Sequence, residues 1–402
     1  MLCTTVPERT PSYFSPHGHA MKNYDHIVVG LGTTGAFTCR TLAQRGKKVL
    51  GLDMHAPPHD QGSHHGQSRS IRRAYLEGTS YVPMVLRAWE LWRQLEQDNR
   101  QQLLYKTGNL TIGPPESPAL HGFFKSAEKY QIAHQQLSAT ETKRNWPTLN
   151  LPDHYVAGLE VEAGILRAEK GIKLALLHGT SEGATIHTSE LATGWHEYPD
   201  KIEVHTTKST YCSETVLFCA DSGNLALLPQ LAGQLSCRRV PVRWVTPENP
   251  GPFSLGNFPV NFWQVPTESA KEGEDYDEFY SLPILPGDKQ LKIAPHNHLA
   301  PLTGESQSAT IDTKEHEHLQ KLIKRYLPSM AKLAPIHQLC RYTLTPDGNF
   351  MLGKVPGHQR AFCSVLGGHG FKFAPVLGEI FADLLCNQSP EFDLSLFDPT
   401  RF

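Results

Sequence analysis

Gly30-Leu31-Gly32-Thr33-Thr34-Gly35 places three glycines in the spacing G-x-G-x-x-G. Residues 25–29 before it, which end in Ile27-Val28-Val29, are typical of a buried strand, and residues 34–45 after it are typical of a helix. In this spacing the first glycine allows a tight turn, and the second lets a pyrophosphate approach the backbone. The third lets the helix pack on the strand. The segment therefore predicts a βαβ unit that binds a dinucleotide.

A second predicted strand, residues 48–52, leads to Asp53, which lies 23 residues after Gly30. An acid at this place accepts hydrogen bonds from a ribose hydroxyl. Gly30, Gly32, Gly35 and Asp53 are therefore candidate cofactor-binding residues. The pattern alone does not choose between FAD and NAD.

The segment Gly62–Arg72 reads GSHHGQSRSIR and contains two histidines, two arginines and two glycines. Charged groups are rarely buried without partners, so this segment is not an ordinary core element. Near the ligand end of a nucleotide-binding sheet, such a loop favours a site for an anionic or electron-rich group. A solvated surface loop is the alternative interpretation.

A second glycine-rich junction lies near the carboxyl end of the chain. Residues 361–366 predict a strand, Gly367–Phe373 reads GGHGFKF, and an apolar helix is expected at 376–385. The start of such a helix offers backbone N–H groups and a positive dipole end to an anion. Gly368, His369 and Gly370 are therefore candidate cofactor-binding residues, and both ends of the chain contribute to one site.

Composition limits the class of protein. The chain has 402 residues, with 38 Lys and Arg against 40 Asp and Glu, so its charge gives no indication of nucleic-acid binding. No apolar run is long enough to span a bilayer. The eight cysteines form no C-x-x-C pair, which argues against a disulfide framework and a zinc site. We expect a cytoplasmic protein without metal, nucleic-acid or membrane partners, and a disordered extension at residues 1–20.

The chain is long enough for two cores, because single cores rarely exceed about 250–300 residues. Residues 241–300 show short strands separated by proline and glycine, which is typical of a largely antiparallel sheet. We predict an α/β protein whose two domains interleave. The cofactor domain is assigned to 21–105, 155–236 and 345–395, and the substrate domain to 106–154 and 237–344.

Three motifs follow the dinucleotide fingerprint in order: G-S-H-H-G-x-[ST]-R-x-I-R at 62–72, C-x-Y-T at 340–343, and G-H-G-F-K-F at 368–373. From Met21 onward the chain resembles the family of monomeric sarcosine oxidase and N-methyl-L-tryptophan oxidase. The resemblance implies a Rossmann-like, glutathione-reductase-type FAD domain and a substrate domain on a mixed sheet. It also implies a monomer.

The resemblance further implies covalent FAD, held through the sulfur of Cys340. It implies oxidative demethylation of a secondary amine, such as an N-methyl L-amino acid, by O2. The products are the primary amino acid, formaldehyde and hydrogen peroxide. Thiolate character would help Cys340 attack the flavin, and the neighbouring Arg341 would favour that state. A buried structural thiol is the alternative for Cys340.

Site residues follow from the same motifs. By resemblance, Arg72 and Lys372 bind the substrate carboxylate, and Tyr280 and His296 line the substrate pocket. Tyr342 lies beside the reacting carbon. His65 and Arg69 pack beside the flavin, and Lys292 faces it and activates oxygen, because a fixed cation stabilises superoxide-like charge. Ordinary alternatives are an interdomain ion pair for Arg72 or Lys372, a solvated strand lysine for Lys292, and sheet packing for Tyr280.

Four places differ from the family pattern. Gln67 replaces an aspartate, Asp221 begins a segment that replaces Gly-x-Trp, and Gly353 replaces an acid. The segment Phe279–Pro283, which reads FYSLP, replaces Tyr-Tyr-Gly-Phe-Pro. Rival functions are sarcosine or pipecolate oxidation, a non-catalytic flavin-binding redox sensor, and an NAD-dependent dehydrogenase, which would be colourless.

Overall fold

The computed structural model describes residues 22–268, 275–302 and 313–402. The extension expected at residues 1–20 lies outside these ranges. The strands of the described residues are β1 (Lys22–Val29), β2 (Val49–Leu52), β3 (Ser68–Ile71), β4 (Leu104–Lys106), β5 (Asn109–Gly113), β6 (Gln135–Ser138), β7 (Val156–Glu160), β8 (Gly164–Arg167), β9 (Thr185–His187), β10 (Ala192–Glu197), β11 (Ile202–Thr206), β12 (Thr210–Phe218), β13 (Ser236–Val245), β14 (Val260–Pro266), β15 (Tyr276–Leu282), β16 (Leu291–Pro295), β17 (Pro335–Leu344), β18 (Met351–Lys354) and β19 (Ala361–Val365). The helices are α1 (Thr33–Gln44), α2 (Val82–Asn99), α3 (Pro118–Lys129), α4 (Ala139–Asn145), α5 (Ala168–Ser181), α6 (Asn224–Leu227), α7 (Thr313–Tyr326) and α8 (Ala374–Leu385).

The first sheet has a parallel centre in the order β9-β2-β1-β12-β19. Strands β11 and β10 extend it antiparallel from β12, and β18 pairs antiparallel with β19. Helix α1 follows β1 and packs against α5 and α8 on one face of this sheet. Because α1 connects the parallel strands β1 and β2, the predicted βαβ unit is confirmed.

The second sheet runs in the order β17-β13-β16-β15-β14-β5-β7-β6. Its pairs are antiparallel except for β14 and β5, which run parallel. One face covers an apolar core that includes Leu110, Ile112 and the buried face of α7. The opposite face of this sheet does not contact that core. Its residues Phe262 and Tyr280 line a cavity together with residues at the carboxyl ends of the strands of the first sheet. The predicted mixed, largely antiparallel sheet is confirmed.

A small third sheet, in the order β3-β8-β4, contains the second half of the basic segment Gly62–Arg72. Strand β3 contains Ser68 to Ile71 and pairs antiparallel with β8. Strand β7, which the sequence analysis assigned to the cofactor domain, pairs with β5 and β6 in the second sheet. The first sheet takes its strands from 22–52, 185–218 and 351–365, and the second takes its strands from 109–160 and 236–344, so the two sheets alternate along the chain.

The long helix α2 has Pro83 in its first turn. It ends at Asn99 and is followed by Arg100, which has a left-handed backbone. Trp92 on this helix is fully buried, stacked on Phe371 and edge-on to Phe37. Trp92 therefore belongs to the core around the first sheet. Across the described residues, we find no helix long and apolar enough to cross a membrane.

Candidate active site

A cavity of about 420 Å³ connects the glycine-rich turn after β1 to the face of the second sheet. Gly30, Gly32 and Asp53 line one end, and Tyr280 and His296 line the other. Its volume lies within the range of roughly 300–1,000 Å³ that is usual for small-molecule sites. The cavity therefore joins the predicted dinucleotide fingerprint to most of the predicted substrate residues.

The turn after β1 has the geometry that a dinucleotide needs. Gly30 has a backbone φ of +95°, and a Cβ there would lie 2.6 Å from the carbonyl oxygen of Cys219. A Cβ on Gly35 would lie 1.8 Å from the carbonyl oxygen of Gly30. Since only glycine fits at these two positions, the chain keeps the backbone open for a pyrophosphate.

Asp53 closes the same end of the cavity. Its carboxylate accepts hydrogen bonds at 2.8 Å from the backbone N–H groups of Leu31 and His55, and His59 lies 3.3 Å away. Burial opposes ionisation, but these donors outweigh it and hold the pKa of Asp53 below its usual value. A fixed carboxylate is a suitable acceptor for a ribose hydroxyl, so the residues present fit the adenosine half of FAD.

The basic segment is held in place from α5. The N–H groups of Gly66 and Gln67 donate to the Glu169 carboxylate at 2.8 and 3.2 Å. His65 is 3% exposed, and neither of its ring nitrogens has a hydrogen-bond partner in the described part of the chain. Burial, Arg69 and Lys292 lower the pKa of His65 to about 4, so it is neutral near pH 7. The His65 imidazole has no partner among the described residues and lies near the basic side chains Arg69 and Lys292. Such a surrounding suits a residue that packs against an electron-rich ring of a ligand.

Arg69 connects this segment to the thiol of Cys340. Its Nη2 atom donates to the carbonyl oxygen of Ser63 at 2.7 Å and lies 3.8 Å from Cys340 Sγ. Alternation along β17 directs Arg341 away from Cys340, and Arg341 donates to the carbonyl oxygen of Gln61 at 3.1 Å. The cation beside the thiol is therefore Arg69, not the Arg341 that the sequence suggested.

Lys292 is 2% exposed and lies in β16, so it is not a solvated strand lysine. Its ammonium donates to the carbonyl oxygens of Ser68 and Gly66 at 3.2 and 3.4 Å and lies 5.4 Å from the ring centre of Trp244. Burial and the nearby Arg69 hold the pKa of Lys292 well below its usual value. A buried amine with few partners can respond to negative charge that forms next to it.

Arg72 and Lys372 both lie close to one aromatic ring. The Arg72 guanidinium is 5.3 Å, and the Lys372 ammonium 5.2 Å, from the ring centre of Tyr75. Arg72 Nη2 also donates to both carboxylate oxygens of Glu77, at 2.8 and 3.0 Å. The structure thus brings the two predicted carboxylate ligands together and adds an internal acid that the sequence analysis did not assign.

Lys372 is fixed by backbone and side-chain contacts. Its ammonium donates to the carbonyl oxygen of His369 at 2.6 Å, and its own carbonyl oxygen accepts from the Trp92 indole at 2.8 Å. Burial and Arg72 lower the pKa of Lys372 to about 7. The His369 ring lies 2.5 Å from the Tyr75 hydroxyl. The second glycine-rich junction therefore positions a cation as well as a backbone turn.

Aromatic side chains line the end of the cavity that the second sheet forms. Tyr280, opposite Phe262 on β14, shares this face with Tyr342. The His296 ring lies edge-on to Phe262 and Tyr342, with centroids 5.5 and 6.0 Å away. Burial is the main reason that the pKa of Tyr280 and of Tyr342 is raised and that of His296 is lowered. All three groups are therefore uncharged near pH 7.

Gly368 allows the second junction to reach this end of the cavity. Its backbone φ is +82°, and a Cβ there would lie 2.4 Å from the Tyr342 ring. Gly370 follows at the start of the turn that leads into α8. Gly368, His369 and Gly370 all line the cavity with Tyr342 and Lys372.

Comparison with known proteins identifies the family. Residues 25–384 match the family model described as FAD dependent oxidoreductase. The chain is 33% identical over 382 residues to monomeric sarcosine oxidase of Streptomyces avermitilis, covering 94% of this chain and 97% of the relative. It is 34% identical over 385 residues to N-methyl-L-tryptophan oxidase of Citrobacter koseri, covering 94% and 99%.

The chain belongs to the FAD-dependent oxidoreductase family. Within this family it groups with monomeric sarcosine oxidase and N-methyl-L-tryptophan oxidase, which confirms the resemblance stated from its motifs. The expected class of enzyme, a flavin-dependent oxidase, is confirmed as well. Family membership also selects FAD over NAD, a choice that the glycine spacing left open.

Solved structures agree on the fold of this oxidoreductase. NikD, described as an unusual amino acid oxidase essential for nikkomycin biosynthesis, superposes with a TM-score of 0.79 at 23% identity, covering 94% of this chain and 98% of that one. Glycine oxidase from Geobacillus kaustophilus gives 0.76 at 18% identity, covering 95% and 99%. The predicted fold class is confirmed.

Two of the four departures from the family pattern line the cavity: Asp221, and the segment 279–283 through Tyr280 and Leu282. Asp221 has a left-handed φ of +53° and accepts hydrogen bonds from the hydroxyls of Ser63 and Thr343. It thereby joins the basic segment to β17 of this oxidoreductase. Gln67 also has a left-handed φ, of +60°, while Gly353 lies in β18 near Pro399.

Three residues that hold the site residues of this oxidoreductase in place were not predicted from the sequence. Glu77 follows Arg72 by five residues, and an acid so close to a predicted anion-binding arginine could have been suspected. Glu169 anchors the basic segment from about a hundred residues away, and no local pattern indicates it. Trp92 donates to the carbonyl oxygen of Lys372, and this contact depends on tertiary packing that no local pattern indicates.

Proposed function

We propose that this protein is an FAD-dependent oxidase that demethylates an N-methyl L-amino acid, of the N-methyl-L-tryptophan type, with O2. The products are the primary amino acid, formaldehyde and hydrogen peroxide. The observation that carries the proposal is one cavity in which a dinucleotide turn meets the pair Arg72 and Lys372, with the buried Lys292 hydrogen-bonded to Ser68 in the cavity wall. Bound FAD would supply the two-electron chemistry, accepting a hydride from the substrate and passing electrons to oxygen.

Arg72 and Lys372 would bind the substrate carboxylate. A guanidinium binds a carboxylate through a planar fork, and an ammonium adds a point charge. Because Glu77 occupies one edge of Arg72, an incoming carboxylate competes with this internal acid. Both cations lie close to Tyr75, so the carboxylate would be held at a defined distance from the aromatic residues.

The same cations would prepare the amine. A protonated amine cannot stabilise a developing iminium, so the nitrogen must lose its proton before hydride transfer. Arg72, Lys372 and Lys292 place positive charge around the pocket, which lowers the pKa of a bound amine. Tyr280, Tyr342 and His296 are uncharged and can orient the nitrogen without stabilising its protonated form.

Arg69, His65 and Lys292 would act next to the bound flavin. Lys292 would stabilise the negative charge that forms as oxygen is first reduced. Arg69 and the neutral His65 would pack beside the ring system. Cys340, with Arg69 at 3.8 Å from its sulfur, would hold FAD through a thioether.

The covalent bond is tested on acid-precipitated, washed protein. We expect a yellow pellet with a flavin spectrum, and Cys340→Ser should release the flavin into the supernatant. Cys237→Ser is the matched control, because Cys237 lies on the adjacent strand β13 and makes its contact with Thr343. A colourless pellet from the unaltered protein would contradict the thioether.

The activity is tested by measuring peroxide and formaldehyde with a panel of secondary amines. N-methyl L-amino acids should give both products in equal amounts. Sarcosine and pipecolate belong in the panel, because preference for either would assign the enzyme to a sister activity. Flavin that binds but gives no peroxide with any secondary amine would indicate a non-catalytic flavin protein and overturn the proposal.

A further inference from the structure

Strand β5 carries two polar side chains toward the cavity. Asn109 lines the cavity and is 1% exposed, and Thr111, two residues on, is 0% exposed. Their neighbours Leu110 and Ile112 pack into the apolar core on the opposite face of the sheet. Alternation along the strand therefore places Asn109 and Thr111 together on the cavity side.

The polar atoms of both side chains are buried without partners. Asn109 Oδ1, Asn109 Nδ2 and Thr111 Oγ1 make no hydrogen bond to any residue that the structure describes. Leaving a buried donor or acceptor unpaired costs about 1–3 kcal/mol per group. Because Asn109 lies at the cavity wall and Thr111 is next to it on the same face of the strand, these unpaired groups indicate that a ligand supplies the missing partners.

Another buried asparagine shows how this fold pairs an amide that it keeps for structure. Asn261, on the adjacent strand β14, accepts from the Trp263 indole at 2.8 Å and the Ser281 hydroxyl at 2.7 Å. It also donates to the carbonyl oxygen of Pro259 at 3.1 Å. Asn109 makes none of the equivalent contacts among the described residues, so its amide has no structural use of that kind.

The unpaired groups lie on the strand that pairs with Phe262, whereas Lys372 lies near Tyr75, the other ring that Arg72 contacts. Arg72 is 5.7 Å from the Phe262 ring centre, and Phe262 pairs in register with Thr111. Asn109 pairs with Val260, two residues earlier on the same strand. If a carboxylate binds at Arg72, an amino-acid side chain directed away from Lys372 passes Phe262 and ends at Asn109 and Thr111.

Charge around this end is balanced. Glu160, opposite Asn109 on β7, is fully buried and pairs with Arg73 at 3.0 Å, while Arg72 pairs with Glu77. No net charge is left to favour an ionised side chain. An asparagine amide can both donate and accept, and so can a threonine hydroxyl.

We propose that Asn109 and Thr111 form a specificity subsite for a neutral, hydrogen-bonding substrate side chain. The inference rests on the proposed function and narrows its substrate class to N-methyl L-amino acids whose side chains carry an amide, hydroxyl or comparable N–H group. An apolar side chain of the same shape is rejected, because it would leave the amide and the hydroxyl unpaired in the complex.

The test compares N-methyl-L-asparagine with N-methyl-L-leucine, which are close in shape and differ in polarity. The unaltered enzyme should prefer the amide substrate by at least about tenfold in kcat/KM. Asn109→Leu should bring this ratio to about one or reverse it, and Thr111→Val should lower it. Asn257→Ala, at an exposed loop asparagine before β14, is the matched control and should keep the ratio.

Binding without turnover provides a second measurement. Analogues in which sulfur replaces the amine nitrogen cannot be oxidised, and their dissociation constants can be followed through the flavin spectrum. The amide analogue should bind more tightly than the isobutyl analogue, and Asn109→Leu should remove the difference. Melting temperatures should show that Asn109→Leu is folded, since it removes unpaired groups, whereas Asn261→Leu should melt lower.

A ratio near one in the unaltered enzyme, or a ratio unchanged by Asn109→Leu, would mean that water alone fills the subsite and would overturn the inference. Absence of peroxide with every secondary amine would instead contradict the proposed function. In that case the analogue titration still decides whether the subsite selects polar groups.

Discussion

Glu77 holds Arg72 through both carboxylate oxygens, with Arg72 Nη2 at 2.8 and 3.0 Å. Burial opposes ionisation of Glu77, but the Arg72 guanidinium outweighs it and keeps the pKa of this acid well below its usual value. The pair therefore stays ionised across the working pH range. It keeps a buried guanidinium neutralised until a substrate carboxylate arrives.

Glu77→Gln should tighten the binding of carboxylate ligands, because the internal competitor for Arg72 is weakened. We expect a dissociation constant lower by about tenfold and a lower melting temperature, since breaking a buried pair costs stability. Titration of an unreactive carboxylate analogue through the flavin spectrum measures the first effect. Glu90→Gln, at an exposed acid that pairs with Arg87, is the control. Equal or weaker binding in Glu77→Gln would contradict the competition.

Lys372 gives ligand binding a pH dependence. Its pKa is lowered to about 7 by burial and by Arg72, so its positive charge is present below that pH and lost above it. Carboxylate affinity should therefore fall as pH rises through about 7, by as much as about tenfold. Lys372→Met should bind weakly and without this dependence, while Lys372→Arg should keep its charge at higher pH. A pH-independent dissociation constant in the unaltered protein would count against this role.

Asp221 should make the protein less stable as pH rises. Burial raises the pKa of its carboxyl, even though Ser63 and Thr343 donate to it and Arg341 lies nearby. An acid whose folded pKa exceeds its unfolded value contributes stability at low pH and loses it as pH rises through the folded value. Asp221→Asn removes this loss, so its stability relative to the unaltered protein should increase by about 1 kcal/mol as pH rises from about 4, near the ordinary pKa of an aspartate, to 8. Parallel melting curves of the two proteins across this pH range would disprove the effect.

Lys292→Met should separate the two halves of the reaction. Positive charge at this position is proposed to act on oxygen, so we expect reoxidation to slow by about a hundredfold or more and reduction far less. Stopped-flow measurement of each half under single-turnover conditions tests this. Lys289→Met, at an exposed lysine three residues earlier, should leave both rates unchanged. Equal slowing of the two halves would reject the assignment.

The sequence was sufficient where local rules apply. The glycines at 30, 32 and 35 and the acid at 53 predict the βαβ unit because each has a fixed role in one turn. The motifs at 62–72, 340–343 and 368–373 pointed to residues that line one cavity, since each motif keeps its own backbone geometry. Long-range partners could not be found in this way.

Three features of the site depend on tertiary packing. The cation beside Cys340 is Arg69, from a segment 271 residues away, and strand alternation turns the adjacent Arg341 aside. Asn109 could not be singled out from the sequence, because a polar residue in a strand becomes informative only when the structure shows that its hydrogen-bond partners are missing among the described residues. Glu169 is equally invisible locally, because it reaches the basic segment from another helix.

The account depends most directly on electrons passing from a carbon–nitrogen bond of a secondary amino acid to the bound flavin. Anaerobic mixing of the purified yellow protein with N-methyl L-amino acids measures this step as loss of flavin absorbance. We expect complete bleaching with at least one of them, one formaldehyde formed per flavin reduced, and colour restored by air. Flavin that stays oxidised with every secondary amino acid offered would contradict the account.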